Sequence, residues 1–171
     1  VSSQYGVNTF NTVYAEGQYL LPLNDDWKLR FGAQITDQRA VGDALLASAN
    51  GKYWVTQVGG TRLEVFYKQL TLTAAFSITG SGNNIQNPWG TYPGYLSMIN
   101  QNFDRARETA ALFGAAFDFS QMLAQGLSAN FNTVWGWNAI NPMTRKNAPN
   151  EAEYDITVDY RPPFNLPVLQ G

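Results

Sequence analysis

Residues 70–79 read LTLTAAFSIT, with Leu70, Leu72, Ala74, Phe76 and Ile78 at one parity and Thr71, Thr73, Ala75, Ser77 and Thr79 at the other. A two-residue period places alternate side chains on opposite sides of an extended chain, so this segment predicts a β-strand with one oily and one wet face. The short connection KQ joins it to residues 56–68, where Leu63, Val65 and Tyr67 oppose Arg62, Glu64 and Lys68. Two such runs so close together predict a hairpin. Upstream, residues 11–21 set Val13, Ala15, Gly17, Tyr19 and Leu21 against Thr12, Tyr14, Glu16 and Gln18. The turn LNDD follows, and residues 27–38 then set Leu29, Phe31, Ala33 and Ile35 against Lys28, Arg30, Gln34 and Thr36. Downstream, the alternation returns over 109–119, 127–137 and 153–161. About seven strands are expected.

The connections alternate in length. LNDD, KQ and SQMLAQG are short, whereas 39–54, 80–106 and 138–152 are long, so short and long connections fall at opposite ends of the strands. That is the pattern of an up-and-down transmembrane barrel, with short turns on the periplasmic side and long loops outside. Strands of about ten residues suit a tilted crossing of the hydrocarbon layer. The mean hydropathy is only -0.27, but a barrel shows oil on alternate residues alone, so its average stays polar. No apolar run approaches the roughly 18 residues of a helical span. Aromatic residues make up 14% of the chain, and they gather near strand ends at the apolar parity: Tyr19, Trp27, Tyr67, Phe117, Phe119, Trp135, Trp137, Tyr154 and Tyr160. These predict two interfacial girdles. The alternative is a soluble sandwich or lipocalin-like binding module, whose apolar face turns inward and whose Trp54, Trp89, Trp135 and Trp137 serve as stacking platforms. What separates the two is which face meets solvent.

Composition removes several chemistries. With no cysteine and no histidine, there are no thiolate or imidazole metal ligands and no histidine-based triad, so neither an enzyme nor a metal or other cofactor is expected. Eleven basic against thirteen acidic side chains leave no field for nucleic acid. The N-terminal VSSQYGVN has neither the charged nor the apolar region of an export signal. GSG at 80–82 lacks the lysine and strand-to-helix setting of a phosphate loop and reads as a turn.

Several stretches resemble the OprD-type outer-membrane porin family: VYAEGQYLLPLNDDWKLRFGAQITDQRAVG at 13–42, LTLTAAFSITGSGNNIQNPWGTYPGYLSMINQNFDRARE at 70–108, LFGAAFDFS at 112–120 and DITVDYRP at 155–162. The NPWGTYPGY loop followed by FDRARE and the DFS turn is the most specific part. The resemblance implies a Gram-negative outer-membrane barrel of about eighteen strands. Residues 1–171 would then form a partial barrel lacking strands at both ends. It also implies a diffusion channel for small carboxylate-bearing solutes, such as amino acids or aromatic acids, in contact with lipid and lipopolysaccharide. The resemblance leaves the individual solute open and is compatible with a homo-oligomer.

Selectivity in such a pore comes from its width, its loops and the charge of its lumen. By strand parity the pore-lining cations are Lys28, Arg30 and Arg62, with Lys68 near the short-turn rim, and they would form a ladder for carboxylates. Glu16, Glu64, Asp155 and Asp159 share the lumen parity as an acidic wall. Equally, Arg62 with Glu64, or Lys28 with Glu16, would pair to stiffen the wall. The longest loop is expected to form an exterior cap packed on Trp89, Tyr92 and Tyr95, in preference to folding inward. Asp104, Arg105, Arg107 and Glu108 at its return are expected to make a salt-bridged rim.

Overall fold

A computed structural model describes residues 1–46, 53–88 and 93–162. The described residues form one all-β sheet: β1 (Ser2–Tyr5), β2 (Phe10–Pro22), β3 (Trp27–Ala40), β4 (Val55–Tyr67), β5 (Leu70–Thr79), β6 (Thr109–Asp118), β7 (Leu127–Trp137) and β8 (Glu151–Tyr160). Each strand pairs antiparallel with its neighbour in sequence, so the order in space is the order in the chain. The seven expected strands are present with ends shifted by a residue or two. The eighth, β1, was not expected: SSQY is short and has no apolar alternation to announce it.

Turns 23–26, 68–69 and 119–126 lie at one end and connections 41–54, 80–108 and 138–150 at the other. Local chemistry sets the first of these, where the Asn24 side chain accepts from the N–H groups of Asp26 (3.0 Å) and Trp27 (2.9 Å), a side-chain mimic of a backbone turn. The β1–β2 turn, residues 6–9, joins the long-loop end and is tied to it by Val41 N–H to Thr9 O (3.1 Å) and Leu45 N–H to Asn8 O (2.8 Å).

The pairing register carries one parity across the sheet in continuous rows. One runs Leu21, Leu29, Val65, Leu72, Ala115, Phe131 and Ile156; the next runs Tyr19, Phe31, Leu63, Ala74, Phe113, Thr133 and Tyr154. This oily face is open: Ile35, Ile78 and Ile156 are 56%, 54% and 76% exposed. Nothing among the described residues covers it, whereas a soluble sandwich or barrel turns this face inward, so the open rows favour lipid over a soluble core. Aromatic pairs mark its two ends. Trp27 and Tyr67 lie 4.3 Å apart and Phe117 and Phe119 4.8 Å apart at the short-turn end. Trp135 meets Tyr154 edge-on at 6.1 Å toward the long loops.

The buried apolar clusters lie on the opposite, polar face, between sheet and loops. Phe10 and Ala40 at the strand ends pack with Ala44 and Trp54 of connection 41–54. Ala75, Ala110, Leu112 and Val134 on β5–β7 pack with Leu96 and Phe103 of connection 80–108. Trp54 is thus a core residue and not a stacking platform.

Candidate functional site: the polar face and its strap

Register places Glu16 on β2, Lys28 and Arg30 on β3, Arg62 and Glu64 on β4, and Asp155 and Asp159 on β8 on this one face. Arg30 and Glu64 are cross-strand partners, with Arg30 Nη1 3.1 Å from Glu64 Oε2. Arg62 Nε approaches the same oxygen at 3.5 Å. Neither contact has hydrogen-bond geometry, and the shielded oxygen keeps unused acceptor capacity. Two guanidiniums therefore share one carboxylate, and Glu16 on β2 acts on Arg62 as a second negative charge outside ion-pair distance. Each also lies over a ring, Arg30 over Phe66 at 4.9 Å and Arg62 over Tyr95 at 4.4 Å, which fixes the guanidinium planes without neutralising them.

Of the two ion pairs expected across neighbouring strands, Arg62 and Glu64 are in contact but lie on the same strand, β4, and the cross-strand partner of Glu64 is Arg30. Glu16 instead accepts from Tyr14 (2.8 Å), Gln18 (2.5 Å) and Tyr95 (2.7 Å), and Lys28 makes no ion pair among the described residues. Lys68 lies in the turn 68–69 in a left-handed conformation, φ 50°. Its Nζ is 3.6 Å from Asp26 and both partners are about half exposed, so the pair is worth about 0–1 kcal/mol. Asp159 is exposed, and Asp155 accepts from Ile99 N–H at 3.4 Å.

The described end of the long connection does not stand off as an exterior cap. Residues 93–108 lie as a strap on the polar face: Leu96 and Phe103 are buried against Ala75, Ala110, Leu112 and Val134, with Tyr95 and Met98 packed beside them. Trp89 and Tyr92, on which that packing was expected, lie outside the described residues. The Gln34 amide, in the orientation that satisfies both its ends, donates to Pro93 O (3.1 Å) and accepts from Tyr95 N–H (3.0 Å). Burial, then the bond to Glu16, pushes the Tyr95 hydroxyl up to about 12, so it stays a donor at physiological pH. Two glycines make this approach possible. A Cβ on Gly32 would stand 2.6 Å from the Tyr95 hydroxyl, and one on Gly136 would stand 2.8 Å from Phe103 Cδ1 and closer still to Glu108 Oε1.

At the return of the strap only part of the expected rim forms. Arg105 bonds the buried Glu108 (Nη2 2.5 Å, Nε 3.1 Å), Glu151 (2.7 Å) and Pro149 O (3.0 Å). Arg107 makes no ion pair there; it caps Asn138 O (3.0 Å) and the Asn147 side chain (2.9 Å). Asp104 is buried, not on a rim, and burial together with Glu108 raises its carboxyl to about 7.

Sequence parity missed Gln34, Gly32, Gly136 and Glu153 as strap contacts. A signal was present: Ala75, Ala110, Leu112 and Val134 are apolar residues at the wet parity, which implies something apolar lying over them. Among the described residues no group of acidic side chains could hold a metal ion.

No protein-family model matches the chain, and a search of curated proteins finds no relative. Solved structures do match. Pseudomonas aeruginosa OpdK, crystallised with vanillate, superposes with TM-score 0.79 at 19% identity over 90% of this chain and 39% of its own. The outer membrane protein OprD of the same organism gives 0.78 at 14% identity over 90% and 42%. Acinetobacter baumannii OccAB1 gives 0.80 at 18% identity over 92% and 42%. The chain spans about two fifths of the length of these structures, and over that span it has the fold of the OprD-type outer-membrane porins.

Proposed function

We propose that the chain forms part of the wall and constriction of an outer-membrane diffusion channel for small solutes, carboxylate-bearing ones such as amino acids or aromatic acids above all. The observation that carries this reading is the opposition of two faces: a broad, largely open apolar band with aromatic ends, and a charged face over which the chain's own loop is folded. In a bilayer the first meets acyl chains and lipopolysaccharide and the second lines water, as a pore wall requires. Solute passage is then selected by width and charge, without catalysis. Arg30 and Arg62, two cations held by a single Glu64, form the basic step, and Lys28 extends it toward the short-turn rim. A carboxylate can displace part of their contact to Glu64 because that contact lacks hydrogen-bond geometry. The vanillate of the OpdK structure, an aromatic carboxylate, agrees with this solute class.

The test is ion selectivity in planar bilayers. Arg30→Gln with Arg62→Gln should shift the reversal potential toward cation preference, and an unchanged potential in a conducting channel would remove these residues from the basic step.

A further inference from the structure

The strap crosses the sheet along two register rows whose central members are small or apolar. One runs Glu16, Gln34, Gly60, Ser77, Ala110, Gly136 and Glu151; its neighbour runs Gln18, Gly32, Arg62, Ala75, Leu112, Val134 and Glu153. Acids stand at the ends of this track, and the strap is fastened there. Tyr95 reaches Glu16 on β2. At the other side, the N–H groups of three successive residues turn toward β8. Asn100 N–H and Gln101 N–H donate to Glu153 at 2.8 and 3.1 Å, Asn100 Nδ2 adds a third bond at 3.1 Å, and Ile99 N–H faces Asp155 at 3.4 Å. Strands β2 and β8 are six gaps apart, roughly 29 Å along the sheet at about 4.8 Å per gap. The strap covers this width from a turn at 94–97, where Ser97 N–H bonds Gly94 O (3.1 Å), to the Met98 N–H to Gln101 O closure (2.8 Å) that presents its N–H groups to β8.

Glu153 makes no ion pair among the described residues. It is 8% exposed and lies beside the fully buried Val134. Among the described residues the donors to its carboxylate all come from the strap, and a cradle of successive N–H groups is a fitting site for an anion. The apolar contacts of Leu96 and Phe103 hold the strap against the sheet but, being non-directional, do not set its position along the track. We propose that Glu153, backed by Asp155, is the positioning residue that latches the strap across the polar face and so sets the width of the constriction. Its effect on permeation rests on the channel reading above; its effect on the strap does not.

Glu153→Gln keeps the side chain's shape but turns one acceptor oxygen into an amide donor facing the strap's N–H groups. In the detergent-purified protein, amide exchange over residues 95–101 should accelerate at least tenfold, while β7, β8 and the melting temperature stay as in the parent. Asp159→Asn, on the same strand and face, is the control and should change neither. In bilayers the Glu153→Gln channel should show a larger or more strongly fluctuating single-channel current. Unchanged exchange in the strap overturns the latch, as does acceleration spread equally over β8, which would make Glu153 an ordinary sheet residue. A freed strap with parental current in a conducting channel overturns its control of width. A freed strap in a parent protein that carries no current upholds the latch and sinks the channel reading instead.

Discussion

Among single residues, Asp104 carries the largest unsettled charge. It is buried where the strap returns to β6, its Oδ2 has no hydrogen-bond partner, and Glu108 lies close enough to oppose its ionisation. Its carboxyl titrates near 7 in the folded protein against an ordinary 3.8, so between those values the native state holds a proton that the unfolded chain has released. The stabilising contribution of that proton is full below about pH 4, declines as pH rises, and is gone above about 7. Asp104→Asn mimics the protonated form at every pH. The variant should therefore melt with the parent at pH 4 and above it at pH 8, by up to about 4 kcal/mol from the size of the gap. Tryptophan-fluorescence melting across that range checks the sign; a parent whose stability does not fall relative to the variant between pH 4 and 8 would show Asp104 ionised throughout. None of this was legible in the sequence, where FDRARE reads as a run of surface charges. What separates Asp104 from Arg105 is a left-handed residue on either side of the pair, Phe103 and Arg107, which turns one side chain in and the other toward Glu108 and Glu151.

At the scale of elements, seven of eight strands were legible because burial differs between the faces, and a period of two is then written into the chain. β1 was not, because a short polar strand on one neighbour owes its conformation to pairing with β2 and not to a face of its own. The strap's position was hidden for a related reason: its contacts are non-local, and parity reports which side a residue takes but not what lies over it. The register brings Glu16, Lys28, Arg30, Arg62, Glu64, Asp155 and Asp159 to one face while Lys68 falls in a turn, and the partners differ from those expected: Glu16 turns to Tyr95, and Lys28 makes no ion pair among the described residues. The apolar rows offer a direct test of what they face. Leu63, near the middle of β4, is flanked in its row by Phe31 and Ala74. Leu63→Arg should cost about 2–4 kcal/mol in lipid if the row crosses the bilayer centre. In a watery setting the same change at an exposed position is worth within about 0.5 kcal/mol. Urea titration of folding into phosphatidylcholine vesicles separates these figures, and a loss below 1 kcal/mol would take β4 out of the membrane.

For the molecule as a whole, the arrangement inverts the usual soluble plan. Packed apolar clusters lie between loops and the charged face, while the larger apolar surface is left open, so the sheet is stable only where something other than water covers it. Girdle and core tryptophans should therefore report different surroundings. Trp27 and Trp135 are exposed on the apolar face near opposite strand ends, whereas Trp54, the last residue of connection 41–54, is 6% exposed, 6.4 Å from the Phe10 ring. Single-tryptophan variants reconstituted with lipids brominated along the acyl chain should lose emission at Trp27 and Trp135, because bromine quenches on close approach, and keep it at Trp54. Moving the bromine from mid-chain toward the headgroup should deepen quenching at both exposed positions, since girdle side chains sit at the interface and not at the bilayer centre. Equal quenching of all three would mean that lipid reaches the charged face as well. The absence of quenching at Trp27 and Trp135 would mean that the open rows are covered by protein, and the barrel wall would have to be read as a face awaiting a partner sheet.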